Sequence, residues 1–305
     1  LINKIASLFT FDPSRSIIPL KTKEISVSQR PLILVTNDDG IDSPGLHAAA
    51  EAVSDLGDLL IVAPSSQSTA AGRSFPPIQD KRIYATEIPV GQHAHPAYKA
   101  DVSPAQAVQL ARLELAGRPI TLCISGINYG ENVGTGVTIS GTVGAALEAA
   151  CSGIPALAVS LETPAQYHLS HSREIDFSAA AHFTRQFAQH VLECGLAPGV
   201  DLLKIDIPSS ATPQTPWQVG RVSRQRYYQA SPSGRTHLQE QKEITYRVQV
   251  HANGLEPDSD IHLVVVDKVV AVVPMTIDLT ARVALGEVAN FLNLKTRHNS
   301  LCNLF

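Results

Sequence analysis

The sequence predicts an α/β fold: a Rossmann-like, mostly parallel sheet with helices on both faces, followed by C-terminal antiparallel strands and a last helix. Three observations predict it. Short apolar runs alternate with helical patterns as far as Pro208, the order that builds parallel sheets through right-handed crossovers. The first runs are continuously apolar, as in strands covered on both faces. Three of them stop on stretches rich in Asp, Asn, Ser or Gly, and the carboxyl ends of such strands form a ligand crevice.

The 305 residues suffice for one large α/β domain or two modest ones. Hydrophobic residues make up 44% and charged residues 17%, so a real core is expected and disorder is not. A formal net charge of -4 leaves no broad basic field for duplex nucleic acid. No apolar run reaches the length of a membrane span. The four cysteines, Cys123, Cys151, Cys194 and Cys302, form no CxxC pair and no zinc spacing. A reducing, cytoplasmic compartment is therefore expected. Residues 1–29 lack a clean signal-peptide core and are expected to be an N-terminal extension outside the functional domain. Residues 30–305 would be that domain, with a Rossmann-like core at 30–208 and arms plus a helix at 209–305.

The first strand is Ile33-Leu34-Val35, and Asn37, Asp38, Asp39 and Gly40 follow it. Two adjacent carboxylates repel, and keeping both ionised in a crevice is costly unless a cation joins them. Oxygen donors of this kind suit Mg²⁺, Mn²⁺ or Ca²⁺. Pro44 suits the first turn of a helix running to about Leu56. Leu59–Ala63 is the second strand, and the polar loop 65–74 leaves its end. That loop carries hydroxyls, an amide and Arg73, donors for a metal or an anion. Residues 76–96 are read as irregular with short strands, and His93 and His95 as surface histidines.

A helix from Pro104 to Leu115 is capped by Ser103. The strand Ile120–Ile124 then ends on the glycine- and asparagine-rich stretch 125–136, whose exposed NH groups and amides could grip oxyanions. Ser140, Gly141 and Thr142 stand where the next helix begins, and a helix N-terminus is an anion site. Neither glycine-rich stretch matches a Walker loop or GxGxxG, which counts against a dinucleotide oxidoreductase. A strand at Ile154–Leu161, an amphipathic helix at Ile175–Cys194 and a strand at Asp201–Ile207 complete the alternation. His168, His171 and His182 read as solvated. Beyond Pro208, β-branched residues mark strands at Trp217–Arg224, Thr245–His251 and Ile261–Pro274. Asp278–Leu294 is the last helix, with Asp278 as its cap.

Taken together, several segments resemble the SurE family of survival-protein phosphatases. They are Val35-Thr-Asn-Asp-Asp-Gly-Ile-Asp-Ser-Pro-Gly45, Val62-Ala-Pro64, Ser125-Gly-Ile-Asn-Tyr-Gly130, Ser140-Gly-Thr142, Gly153–Ser160 and Pro274–Thr280. The resemblance implies a 5′/3′-nucleotidase that hydrolyses nucleoside monophosphates. It implies one divalent metal ion per subunit, held by Asp38, Asp39, Asn128 and a hydroxyl from the 65–74 loop. Counting from Ala63-Pro64 puts that hydroxyl on Thr69, with Ser68 as the alternative.

The chemistry expected of these parts is attack on phosphorus by a metal-activated water. Asn37, Asn132, Ser140, Gly141 and Thr142, with Gly40 beside them, would bind the phosphoryl oxygens. Asp38 or Asp39 would orient the water or accept its proton. A nucleotide-binding protein without turnover is the alternative, suggested by Thr69-Ala70 where the family has Ser-Gly. The resemblance also implies a homodimer or homotetramer with exchanged arms.

Overall fold

The computed structural model describes residues 30–251 and 253–294. The expected extension at 1–29 and Cys302 lie outside the described residues. In chain order the strands are β1 (Leu32–Thr36), β2 (Asp58–Pro64), β3 (Ile83–Val90), β4 (His93–Ala100), β5 (Leu122–Tyr129), β6 (Ala156–Leu161), β7 (Leu202–Ile207), β8 (Trp217–Val219), β9 (Tyr228–Ser231), β10 (Thr245–Val248) and β11 (Val270–Met275). The helices are α1 (Pro44–Val53), α2 (Pro104–Leu110), α3 (Gly141–Cys151), α4 (Ser178–Cys194) and α5 (Leu285–Leu294).

Nine strands form one sheet in the order β3-β4-β2-β1-β5-β6-β7-β11-β8, and β9 and β10 form a separate antiparallel pair. Strands β2, β1, β5, β6 and β7 are mutually parallel, as the alternation predicts. Side chains of β1 divide by parity. Ile33 and Val35 join one apolar cluster with residues of α1 and α4. Leu32 and Leu34 join another with residues of α2 and α3. Burial on both faces explains why this strand reads as a solid apolar run.

The helices follow from their sequences. Pro44 opens α1, and Leu46, Ala49, Ala50 and Val53 form its buried stripe. Ser103 and Gln106 make a reciprocal capping box at α2. The expected helix to Leu115 continues past α2 as a wider π-helical turn, Ala111–Leu115. Phe183, Phe187, Ala188 and Val191 seat α4 on the sheet.

Four expectations need correction. Residues 83–100 are not irregular but form the regular hairpin β3–β4, closed by Gly91 and Gln92 with Val90 opposite His93. Pro89 and Pro96 hide it in the sequence. They are tolerated because β3 is an edge strand and β2 meets β4 only from Tyr98 onward. Next, β5 does not stop at Ile124 but runs through Ser125–Tyr129, with a register shift between Ser125 and Asn128 and a cis Gly126–Ile127 peptide.

The expected strand 261–274 splits into a π-helical turn, His262–Val266, and strand β11. Local caps start that turn: the Asp260 carboxylate accepts from Ile261 N, and Ser259 Oγ accepts from His262 N. Finally, the last helix begins at Leu285 rather than Asp278. The Asp278 carboxylate closes a local turn by accepting from Thr280 N.

Candidate active site

The carboxyl ends of β1, β2 and β5 meet where the chain, having built outward through β2, returns to the other side of β1 as β5. Such a reversal opens a crevice, and a cleft lies there. Asp38, Asp39, Thr69, Asn128, Asn132 and Ser140 line it. Six residues from three strand ends and one helix start thus share one wall.

Asp38 is buried and faces the start of α3. Thr142 Oγ1 donates to Asp38 Oδ1 at 2.5 Å, and the backbone NH groups of Gly141 and Thr142 add hydrogen bonds. Gly141 makes this approach possible: a Cβ there would lie 2.7 Å from Asp38 Cβ and Oδ2. Burial raises the Asp38 pKa above the usual carboxylate value, and these hydrogen bonds oppose the rise. The free NH groups of α3 therefore already face an anion, the carboxylate of Asp38 itself.

Asp39 is 2% exposed. Gln67 Nε2 donates to its Oδ1 at 2.9 Å, and the Tyr129 backbone NH lies 3.4 Å from Oδ2. Burial pushes its pKa well above the ordinary value, and repulsion by Asp38 pushes it further. Gln67 also donates to the His168 carbonyl at 2.7 Å, and His171 Nε2 donates to the Asp39 carbonyl at 2.9 Å. These two contacts hold the loop after β6 over the end of β1.

The amide of Asn128 donates to the carbonyls of Tyr129 and Gly130, at 3.2 and 2.6 Å. That orientation leaves its Oδ1 as the acceptor on the cleft side. Asn132 is fixed at both ends: Nδ2 donates to Ser160 Oγ and its backbone NH to Asp206 Oδ1, each at 2.8 Å. Beneath this loop lies a fully buried ion triad. Lys204 Nζ pairs with Asp206, and with Asp260 Oδ2 at 3.0 Å. Asp260 also accepts from the backbone NH groups of Gly134 and Ser223, at 3.2 and 3.0 Å. The loop that carries Glu131 and Asn132 is thus tied to residues from β7 and from the C-terminal part of the chain.

Other expected site residues shape or support the wall. The side chain of Asn37 is closed on Gly40, donating to its carbonyl at 3.0 Å and accepting from its NH at 3.1 Å. Gly40 has φ +98, which a side chain resists. Both shape the turn that presents Asp38 and Asp39. Ser140 Oγ caps α3 by accepting from Val143 N. Ser68 acts through its backbone, donating to the Asp38 carbonyl at 2.7 Å, while Thr69 lines the cleft. Arg73, read in the sequence as a donor of this loop, pairs with Glu148 of α3 at 2.8 Å.

Sequence reasoning missed Glu131 and Tyr228, both on the cleft wall, and counted Gln67 only as the amide of the 65–74 loop. It also read His168 and His171 as solvated. His168 lines the cleft and lies edge-on to Tyr228, with ring centroids 6.0 Å apart. Gln67 meets His168, Tyr228 meets Glu131 and His171 meets Asp39 only across long stretches of sequence, so no local spacing could reveal them.

The donors fit a hard divalent cation. Two buried carboxylates receive only neutral hydrogen-bond donors, and no Lys or Arg is among the cleft residues. The remaining donors offered are a hydroxyl and an amide oxygen, the oxygen chemistry such ions prefer. Among the described residues, no three His, Cys, Asp or Glu groups come close enough to hold a metal, so the set depends on Thr69 and Asn128. No helix among the described residues is long and apolar enough to cross a membrane.

A family profile described as Survival protein SurE matches residues 33–229. The 5′-nucleotidase SurE of Thermococcus gammatolerans is 40% identical over 264 residues, covering 85% of this chain and 95% of that protein. The 5′-nucleotidase SurE of Thermococcus kodakarensis is 38% identical over 265 residues, covering 85% and 98%. Among solved structures, the SurE protein from Aquifex aeolicus aligns with a TM-score of 0.68 at 26% identity, covering 87% of this chain and all of that one.

Proposed function

The chain belongs to the survival protein SurE family, and from that premise we propose that it is a metal-dependent phosphomonoesterase acting on nucleoside monophosphates. The observation that carries this reading is the buried pair Asp38 and Asp39, with no Lys or Arg among the residues that line their cleft. Relatives named 5′-nucleotidase support the substrate class. Thr69 keeps a hydroxyl on the wall, so no feature of the cleft favours the binding-only alternative.

Asp38, Asp39, Thr69 and Asn128 would hold one divalent ion. When bound, such an ion polarises a phosphoryl oxygen and lowers the pKa of a water. Thr142 and the first NH groups of α3 fix the Asp38 carboxylate, while Gln67 and the Tyr129 NH fix Asp39. Asn132, held by Ser160 and Asp206, and Ser140 at the cap of α3 would meet the phosphoryl oxygens. Prepositioned donors of this kind stabilise developing charge without reorganising.

The further parts of the reading concern assembly and place. The exposed apolar side chains Tyr246 and Val248 on β10, and Leu285, Phe291 and Leu292 on α5, support a homodimer or homotetramer built through residues 209–305. Light scattering that finds only the 32.6 kDa monomer would remove it. Cysteines without disulfides, Cys123, Cys151 and Cys194, support a reducing cytoplasm.

The deciding experiment is phosphate release from a panel of nucleoside 5′- and 3′-monophosphates, after EDTA and then with added Mg²⁺, Mn²⁺ or Ca²⁺. Release restored by metal is the expected result. No release with any ion, from folded protein, overturns the phosphatase reading.

A further inference from the structure

Glu131 is a buried carboxyl on the cleft wall that no step above uses. It is 3% exposed. Tyr228 OH donates to its Oε1 at 3.1 Å, and Tyr227 adds a second side-chain hydrogen bond. Its other oxygen, Oε2, is buried and has no partner among the described residues. An unpartnered buried carboxyl oxygen is costly to keep ionised, and a proton on the carboxyl removes that cost. Glu131 also stands off from the metal position, because no third carboxylate or histidine is close enough to share an ion with Asp38 and Asp39.

We propose that Glu131 is a catalytic residue, the proton donor to the departing nucleoside oxygen. The inference rests on the phosphomonoesterase reading. In hydrolysis the water oxygen bonds to phosphorus and the bond from phosphorus to the ester oxygen breaks. The bonding pair goes to the ester oxygen, which takes the proton from the Glu131 carboxyl and leaves as the nucleoside hydroxyl. The attacking water gives up its proton to solvent, and solvent reprotonates Glu131, so the products are nucleoside and phosphate with no other reactant. The carboxylate left behind keeps the hydroxyls of Tyr227 and Tyr228 as donors.

The surroundings suit that task. Burial holds the Glu131 pKa above the ordinary carboxylate value, against the tyrosine hydroxyls and His168, which favour the ionised form. Tyr227 and Tyr228 come from the C-terminal arm and His168 from the loop after β6. Asp206, paired with Lys204, lies under the loop, and Asp38 and Asp39 share the cleft wall. A nucleoside alkoxide is a poor leaving group and needs a proton as the bond breaks, whereas an activated aryl oxide does not.

The test compares Glu131→Gln with wild type on a nucleoside 5′-monophosphate and on a dinitrophenyl phosphate, in metal-loaded enzyme. The variant is expected to lose about a hundredfold or more in kcat on the nucleotide, the scale of general-acid catalysis, and less than about tenfold on the aryl ester. Equal losses on both substrates, or none on the nucleotide, overturn the proposal. Wild type inactive on both esters overturns the phosphomonoesterase reading and this proposal with it. Tyr228→Phe guards against a folding defect. Removing that donor raises the Glu131 pKa further, so the basic limb of kcat moves to higher pH. A fixed limb counts against Glu131.

Discussion

Thr142 at the start of α3 donates its hydroxyl to Asp38 at the end of β1, at 2.5 Å and out of contact with water. The bond couples the start of α3, where Ser140 lines the cleft, to the carboxylate that would hold the metal. Thr142→Val keeps the shape and deletes the donor. A hydrogen bond to a charged group contributes about 1.5–3 kcal/mol. Metal-loaded activity is expected to fall about tenfold or more on that basis, with the Asp38 pKa rising further. Phosphate release followed against pH checks this, and an unchanged profile would show the bond to be incidental.

The carboxylate pair makes the metal-free protein less stable as pH rises. Asp38 and Asp39 both have raised pKa values, so the fold binds their protons more tightly than the unfolded chain does. Their contribution is greatest below the ordinary value of 3.8 and is lost as pH rises through their folded values. Asp39→Asn removes the larger part. In EDTA at neutral pH this variant is expected to melt above wild type while lacking activity. Added Mn²⁺ should stabilise wild type and not the variant, as differential scanning calorimetry can test.

The two candidate hydroxyls can be separated. Ser68 serves through its backbone NH, while Thr69 stands on the cleft wall. Thr69→Val is expected to weaken metal binding about tenfold or more, roughly the loss of one oxygen ligand's interaction with a charge. Ser68→Ala should leave it within about twofold, since no side-chain contact is lost. Metal titration by calorimetry reads both, and the reverse ranking would assign the hydroxyl to Ser68.

Lys204 balances two buried carboxylates, Asp206 and Asp260. Lys204→Met strands both and is expected to cost about 3–5 kcal/mol, the scale for breaking a buried ion pair. Replacing all three residues with apolar ones of similar volume should cost much less. Urea unfolding midpoints of the two variants distinguish a charge effect from a packing effect.

Much of this was legible in the sequence because strand ends are local. The run Leu32–Val35 announces a doubly covered strand, and Asp38 and Asp39 follow within one turn of it. The same rule marked the 65–74 loop, the 125–136 stretch and the helix start at Ser140, while Thr69 and Asn128 were singled out within them by the family resemblance. The rule cannot see contacts across the fold. Gln67 meets His168, His171 meets Asp39, and Tyr228 meets Glu131 only after folding. At α3 it could not see that the Asp38 carboxylate already accepts from Thr142 and the first NH groups of the helix. The hairpin β3–β4 escaped because prolines mark breaks in sequence yet sit harmlessly on a sheet edge.

The Lys204 triad also has a bearing on biosynthesis. A ribosome releases β7 well before it makes Asp260, so a nascent chain carries Lys204 with a single counter-charge and an uncovered sheet edge where β11 will pair. The loop bearing Glu131 and Asn132 gains its second anchor only when Asp260 arrives. The frame beneath the cleft is therefore incomplete until Asp260 has been made, and a chain terminated before it keeps Asp38 and Asp39 while lacking that anchor.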